Sequence, residues 1–547
     1  MNQIRNPKAE GPKEIRRPKA ETRRKSGVGY ALDDERRLRA LGRHAAPAPN
    51  EGPASDFGFR IFFGIRFLAV MLLAGCAVGP NFKRPAAPEV NGYTAAPLST
   101  TDGVTNLLGG EAQRFLNGRN IPGEWWALFH SKALNALIER SLSNNPSIKA
   151  GQAALLVARE NVLVQRGAYF PGIAGGFSAS RQSQSHFLAP VPNANEFTYS
   201  LFTPQVSVWY MPDVFGLNRR TMESLQAQAE QARLALAATH ITLSANVVAA
   251  AIQEASLREQ IAATQEIIAI NTNMLQILRT QLAKGRVGRL DVAAQESQLA
   301  QVAATLPPLR KQLAQQRDLL AVLAGAFPSQ DPPERFELSS LALPGELPLS
   351  LPSQLAAQRP DVRQAEEDLH AASAQVGIAT ANRLPNITLT AGAGNTALAL
   401  DQLFTSGTGF WGLGATVTQP IFQGGALLHK ERAAKAAYVQ AAEQYRSAVL
   451  TAFQNVADTL NAIEQDAEAL KTAAAAEVAA KVTLDLTQRQ AQTGYANYLA
   501  LLSAEQTYQQ TLINLVQAQA NRYADTAALF LALGGGWWNR ADLAKTF

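Results

Sequence analysis

Cysteine is almost absent: the 547 residues contain one, Cys76. A single thiol excludes an intramolecular disulfide framework and any cysteine-built zinc or iron–sulfur site. Aromatic residues make up only 7%, too few for a compact aromatic-rich core, while alanine and glutamine abound, a mixture that favours long helices. The six histidines, at positions 44, 130, 186, 240, 370 and 429, are scattered, with no pair at metal-ligand spacing. Missing too are an HExxH helix, a GxSxG nucleophile elbow and a GxxxxGK[ST] phosphate loop. The acidic "AEEDL" of residues 365–369 invites a paired-carboxylate reading, but a solvated helix face explains it better. "GGGWW" near the C-terminal end follows a long helical stretch instead of opening one, so it reads as a helix C-cap with packing or interfacial tryptophans behind it. No enzyme, no metal and no cofactor is expected.

A net charge of +6 suggests a basic protein, but the excess is local. Residues 1–75 hold 15 Lys+Arg against 8 Asp+Glu, leaving 35 against 36 in the remainder, a net −1. Nothing in that remainder calls for nucleic acid. Residues 1–56 are charged and rich in proline and glycine, with no apolar face long enough to pack, and read as a disordered basic leader. Residues 57–75 end in the uninterrupted apolar run Phe67–Gly75, far short of the ~20 residues that span a bilayer helically. A run of that length suits the core of a secretory signal. "LAGC" at Leu73–Cys76 resembles the bacterial lipobox, whose cysteine is acylated and becomes the first mature residue. The long leader ahead of it points to a translation start downstream, at a non-ATG codon near residues 50–60.

Beyond residue 76 an extended segment is expected to residue 130, followed by two copies of one unit, 131–345 and 346–538, and a tail, 539–547. Pro146 and Pro171 are 25 positions apart, as are Pro360 and Pro385, and each pair encloses an alanine-rich stretch free of proline. Gly216 to Gly285 encloses 68 residues without glycine or proline, and Gly425 to Gly494 encloses 68 more, at an offset of 209. The same offset pairs Glu296 with Glu505, Leu306 with Leu515 and Gly325 with Gly534. A breaker-free segment of that length forms a helix of about 100 Å. Along the first, Leu257, Ile261, Ile268, Leu275, Leu278 and Leu282 follow a coiled-coil seam, and the alanines beside it permit a ring of helices. Shorter helices return over 289–325, bent at Pro307-Pro308, and over 496–533.

Strand-like pairs fill the gaps, about 171–214 and 385–422. In "NITLTA" Ile387 and Leu389 alternate with Thr388 and Thr390; Val206, Val208 and Tyr210 alternate with Ser207 and Trp209. Two soluble hairpins are the alternative, and the pattern favours membrane strands over them. If they enter a membrane, four strands cannot close a barrel and an open edge cannot face lipid, so several chains must share one.

The stretches "CAVGPNFKRP", "EWWALFHSKALNALIERSLSNNPSIKAGQA", "LPSQLAAQRPDVRQAEEDLHAASAQVGIA", "QPIFQGG" and "LALGGGWW", in this order from Cys76 to Trp538, resemble the outer-membrane factor family of tripartite efflux systems, the TolC/OprM/NodT type. The resemblance implies a mostly helical chain with membrane β-strands. Three copies would form a long coiled-coil α-helical barrel, continued by a 12-stranded β-barrel with four strands per chain. It implies a passive exit duct in the outer membrane, extending into the periplasm, partnered by a periplasmic adaptor (membrane fusion protein) and an inner-membrane transporter of the resistance–nodulation–division class. Acylated Cys76 would anchor the chain in outer-membrane lipid, a destination with which Ala77 is compatible. A type I secretion duct and a lipid-anchored periplasmic coiled-coil scaffold are the alternatives.

By the same resemblance, the turns at the far ends of the long helices form the periplasmic mouth. The acidic ring that related channels carry after the second turn is replaced here by Ala500 and Ser503, leaving Tyr495, Tyr498, Leu499 and Ser503 as gate candidates; the two tyrosines read equally as packing residues. "GRVGRLD", with Arg286, Val287, Gly288 and Leu290, matches the tip onto which adaptor hairpins dock, or is an ordinary helix–turn–helix bend. Gly288 is expected to let another backbone approach.

Overall fold

A computed structural model describes residues 77–183, 198–493 and 498–540. Cys76, Tyr495 and the leader lie outside them.

The glycine and proline punctuation becomes architecture. Helices α1 (Lys132–Asn144) and α2 (Pro146–Gly167) lead into strands β2 (Gly172–Ser183) and β3 (Thr198–Tyr210), then the 67-residue α3 (Leu217–Ala283) and the returning α4 (Arg289–Leu323). The second half repeats this with α5 (Pro352–Gln358), α6 (Pro360–Ala381), β5 (Asn386–Asn395), β6 (Gly409–Thr418), the 68-residue α7 (Ala426–Thr493) and α8 (Tyr498–Ala532). Short strands β1 (Arg114–Asn117) and β4 (Glu346–Leu349) pair in parallel beside the bundle. Proline stands in the first turn of α2 and α6, where its missing N–H costs nothing. Pro307 and Pro308 lie within α4, which continues through them. The long and returning helices keep the 209 offset; α2 and α6 differ by 214, the extra five residues falling in the first hairpin region.

Helix α3 is the central column, packed against α2 and α4 along one flank and α6 and α8 along the other; α7 packs against α6 and α8. Neighbours on both flanks widen its buried surface beyond a single seam. Leu257, Leu275 and Leu278 are buried as expected, but Ile261, Ile268 and Leu282 are not fully enclosed, and Ala263, Ile267, Asn271 and Met274 complete the stripe. One window of α3 is apolar enough to cross a bilayer, yet 67% of it is buried inside the molecule.

Most of the buried aromatics gather where the segment from 77 to 130 wraps the bundle. Trp125 stacks on Phe530 with centroids 5.2 Å apart, and Phe129, Phe336 and Tyr523 join the same core. The GGG of "GGGWW" does cap α8: Gly534, Gly535 and Gly536 all have positive φ, and the Gly535 N–H donates back to the Phe530 carbonyl at 2.8 Å. Trp537 donates its indole N–H to the Gln358 carbonyl at 2.8 Å and lies under the Arg233 guanidinium.

Candidate functional site

The four long strands form one antiparallel sheet in the order β2-β3-β5-β6. Register decides what the sheet can face. Leu389 lies opposite Ala415, Ala391 opposite Leu413 and Ala393 opposite Trp411. On the other side of β5, Ala391 meets Val208 and Ala393 meets Val206; Val208 in turn meets Ile173, and Pro204 meets Phe177. Because side chains alternate with period two, this register puts Ile173, Phe177, Val206, Val208, Leu389, Leu413 and Val417 on one continuous apolar face. The other face is mainly small and polar, with Ser178, Ser180, Gln205, Ser207, Thr388, Thr390, Thr416 and several glycines, and carries Leu201, Trp209 and Phe410 as its large apolar residues. The apolar face is bare: Trp411 and Leu413 are 77% and 78% exposed. Strands of 10–13 residues match the length needed to cross a bilayer at a tilt. Among the described residues, β2 and β6 each pair along one edge only.

At the strand-to-helix junction the first described residues are held tightly. Val78 donates its N–H to the Phe215 carbonyl at 3.1 Å. Arg220, buried near the start of α3, donates to the carbonyl of Val78 at 3.0 Å, that of Gly79 at 3.3 Å and Asn81 Oδ1 at 2.7 Å. A Cβ on Gly79 would lie 2.4 Å from the Gly377 Cα of α6, and one on Gly377 would lie 2.8 Å from Arg220 Cγ, so neither position has room for a larger residue. Phe82 stacks on His370 at 4.3 Å, and Arg84 pairs with Glu366 at 2.8 Å. This corrects the reading of "AEEDL" as a solvated face. Glu366 is buried under the strap formed by residues 77–84, and burial raises the proton affinity of Glu367, which bonds His370 at 3.2 Å.

At the opposite end of the long helices, the tip is built from both halves. Met274, Leu275 and Leu278 of α3, Val292 of α4, Ala480 and Leu484 of α7, and Leu501, Ala504 and Tyr508 of α8 form a separate small core. Gly285 (φ 71°) ends α3 and its neighbour Arg286 donates back to Gln281 at 2.9 Å. Of the docking candidates, Arg286, Gly288 and Leu290 are exposed, Leu290 by 80%, while Val287 packs against the tip core. Gly288 has φ −85° and would meet only ordinary contacts if given a Cβ. Its N–H is instead bonded by Asp291 at 2.9 Å as the start of α4, so the left-handed glycine that this turn needs is Gly285. Of the gate candidates, Tyr498 opens α8, Leu499 is 71% exposed and Ser503 is exposed. Above the tip core lies a polar joint the sequence did not reveal. Gln295 donates to Asn271 Oδ1 at 2.9 Å and to Glu505 Oε2 at 3.3 Å, and Gln506 donates to Gln298 at 3.0 Å. Among the described residues no group of three or more His, Cys, Asp or Glu is placed to hold a metal.

The described chain thus carries a sheet with one bare apolar face on long paired helices, in two matching halves. The family profile described as outer membrane efflux protein matches residues 137–326 and 351–535, one segment in each half. The chain belongs to this family. It is 30% identical over 478 residues to the probable efflux pump outer membrane protein SepC of Pseudomonas putida, covering 85% of this chain and 95% of the relative. The toluene efflux pump outer membrane protein TtgF, from a second strain of Pseudomonas putida, gives the same identity and coverage. Among solved structures, the open state of the Neisseria gonorrhoeae MtrE outer membrane channel superposes with a TM-score of 0.72 at 26% identity, covering 84% of this chain and 99% of that one. These likenesses place this efflux protein in the outer membrane, in a family of efflux channels.

Proposed function

We propose that three copies of this efflux protein share one twelve-stranded barrel and form the exit duct of a tripartite pump, receiving small toxic solutes from an inner-membrane transporter of the resistance–nodulation–division class through a periplasmic adaptor. The observation that carries this reading is the sheet register: one apolar face for lipid, one polar face for a lumen, and two unpaired edges that hydrocarbon does not tolerate. Pairing β6 of one chain with β2 of the next satisfies both edges. Exposed apolar residues on the helical flanks nearest the strands, Leu156 and Val164 of α2 and Val439 and Leu450 of α7, would give the same three copies a second seam. The naming of TtgF for toluene supports small lipophilic cargo. No side chain need react with the solute; the wall separates it from the periplasm and the mouth controls its entry. Arg286, Val287, Gly288 and Leu290 would meet the adaptor, and Leu499, Ser503, Tyr495 and Tyr498 would line the mouth.

The strap supports acylation at Cys76. A Cβ on Gly216 would lie 2.7 Å from the Ala77 Cα, so the residue after the cysteine sits where the strands give way to helices, the level at which an inner-leaflet lipid ends. Substituting Cys76→Ser should abolish incorporation of labelled palmitate while leaving a trimer on native gels. A wild-type protein that runs as a monomer would overturn the shared barrel, and loss of all trimer in Cys76→Ser would show that the lipid, rather than the barrel, holds the assembly.

A further inference from the structure

Glu505 is the residue whose chemistry least suits its surroundings. It is 2% exposed, its Oε2 accepts one hydrogen bond from Gln295 at 3.3 Å, and its Oε1 has no partner. The equivalent residue in the first half, Glu296, is exposed and paired with Arg279 at 2.7 Å. One site of the repeat therefore keeps its carboxylate in water, and the other drives it between two hairpins. The neighbours that face Glu505 are Asn271 of α3 and Gln295 of α4, both neutral, with the Gln298–Gln506 bond beside them. Charged groups on the packed helices act one turn away: burial first, then Glu266 of α3 and Glu477 and Asp485 of α7, push the Tyr508 hydroxyl to about 12. None of these is a cation that would hold an ionised Glu505 in place. A buried carboxylate with one donor and an empty oxygen is poorly tolerated; the neutral acid is not.

We propose, resting on the duct reading, that Glu505 is a proton-controlled latch joining the α3–α4 and α7–α8 hairpins, holding the tip together when protonated and releasing it when ionised. Ionisation can be met only by admitting water between α8 and α4, which parts the two hairpins at the level of the mouth. Burial pushes the Glu505 carboxyl up from 4.5 to about 7. The sign follows from linkage. The packed joint binds the proton more tightly than a hydrated one, so it is favoured most below pH 4.5 and loses ground as pH rises from there to about 7.

The test uses the full trimer with spin labels at Ser297→Cys on α4 and Thr507→Cys on α8, together with its conductance in planar bilayers. Between about pH 5.5 and 7.5 the parted population should grow roughly tenfold or more, from the linkage of a strongly raised carboxyl, and conductance should rise with it. Glu505→Gln should hold the short distance at both pH values, whereas Glu296→Gln should keep the wild-type shift. A wild-type distance that does not move with pH, or a Glu505→Gln protein that moves as the wild type does, would overturn the latch. A pH-dependent distance in a trimer that never conducts would leave the latch standing and count against the duct.

Discussion

Leu413→Arg should remove the protein from the outer membrane as an assembled trimer. Leu413 is 78% exposed at the middle of β6, on the face it shares with Ala391, Val208 and Ile173. An arginine facing lipid at the midplane of a barrel costs about 2–4 kcal/mol, and the proposed three-fold assembly would apply that cost three times in one wall. Thr390→Arg, one residue away on the neighbouring strand but on the opposite face, points into the proposed lumen and should leave assembly intact. The measurement is the amount of heat-dissociable trimer in outer-membrane fractions. Equal tolerance of both substitutions would mean that the register does not divide lipid from lumen.

The second large effect lies at Arg317 on α4. Its Nη1 reaches both oxygens of Glu254 at 3.2 Å and the Glu334 carbonyl at 2.6 Å, and its Nη2 bonds Asp331 and the Pro332 carbonyl. Glu254 is completely buried in α3 and has Arg258 as its other partner, at 2.7 Å. Truncating Arg317 leaves the buried Glu254 with Arg258 alone and strips Asp331 and two backbone carbonyls of their donor, so Arg317→Ala should cost roughly 3 kcal/mol per subunit, the low end for breaking a buried pair. Replacing Glu254 and Arg317 together with methionine should recover most of that, because the charges left behind, Arg258 and Asp331, both reach solvent. Denaturant midpoints of the purified trimer separate these cases: similar loss in the single and double variants would show that packing, and not charge, holds α4 to α3 there.

What could be read directly from the sequence was whatever one residue type enforces locally. Gly216, Gly285, Pro146 and Pro360 set the ends of the helices, and the 209 offset exposed the repeat before any contact was known. Alternation in "NITLTA" gave the two faces of β5. What stayed hidden depends on partners distant in the chain. "AEEDL" looks like a wet surface until the strap, nearly 300 residues earlier, is laid over Glu366 and His370. Glu296 and Glu505 occupy equal places in the repeat, and only packing shows that one is exposed and the other buried. At the α3–α4 turn the left-handed backbone falls at Gly285, while Gly288, the more prominent glycine of the motif, opens α4 at an ordinary φ, a difference that only the dihedrals show.

The most direct measurement is single-channel recording of the purified, folded trimer in planar lipid bilayers. A continuous lumen through shared strands and paired helices predicts discrete conductance steps, small while the tip hairpins stay joined and larger when Gln298→Ala and Gln506→Ala loosen them. A correctly assembled trimer that stays silent even with those bonds removed would contradict the duct.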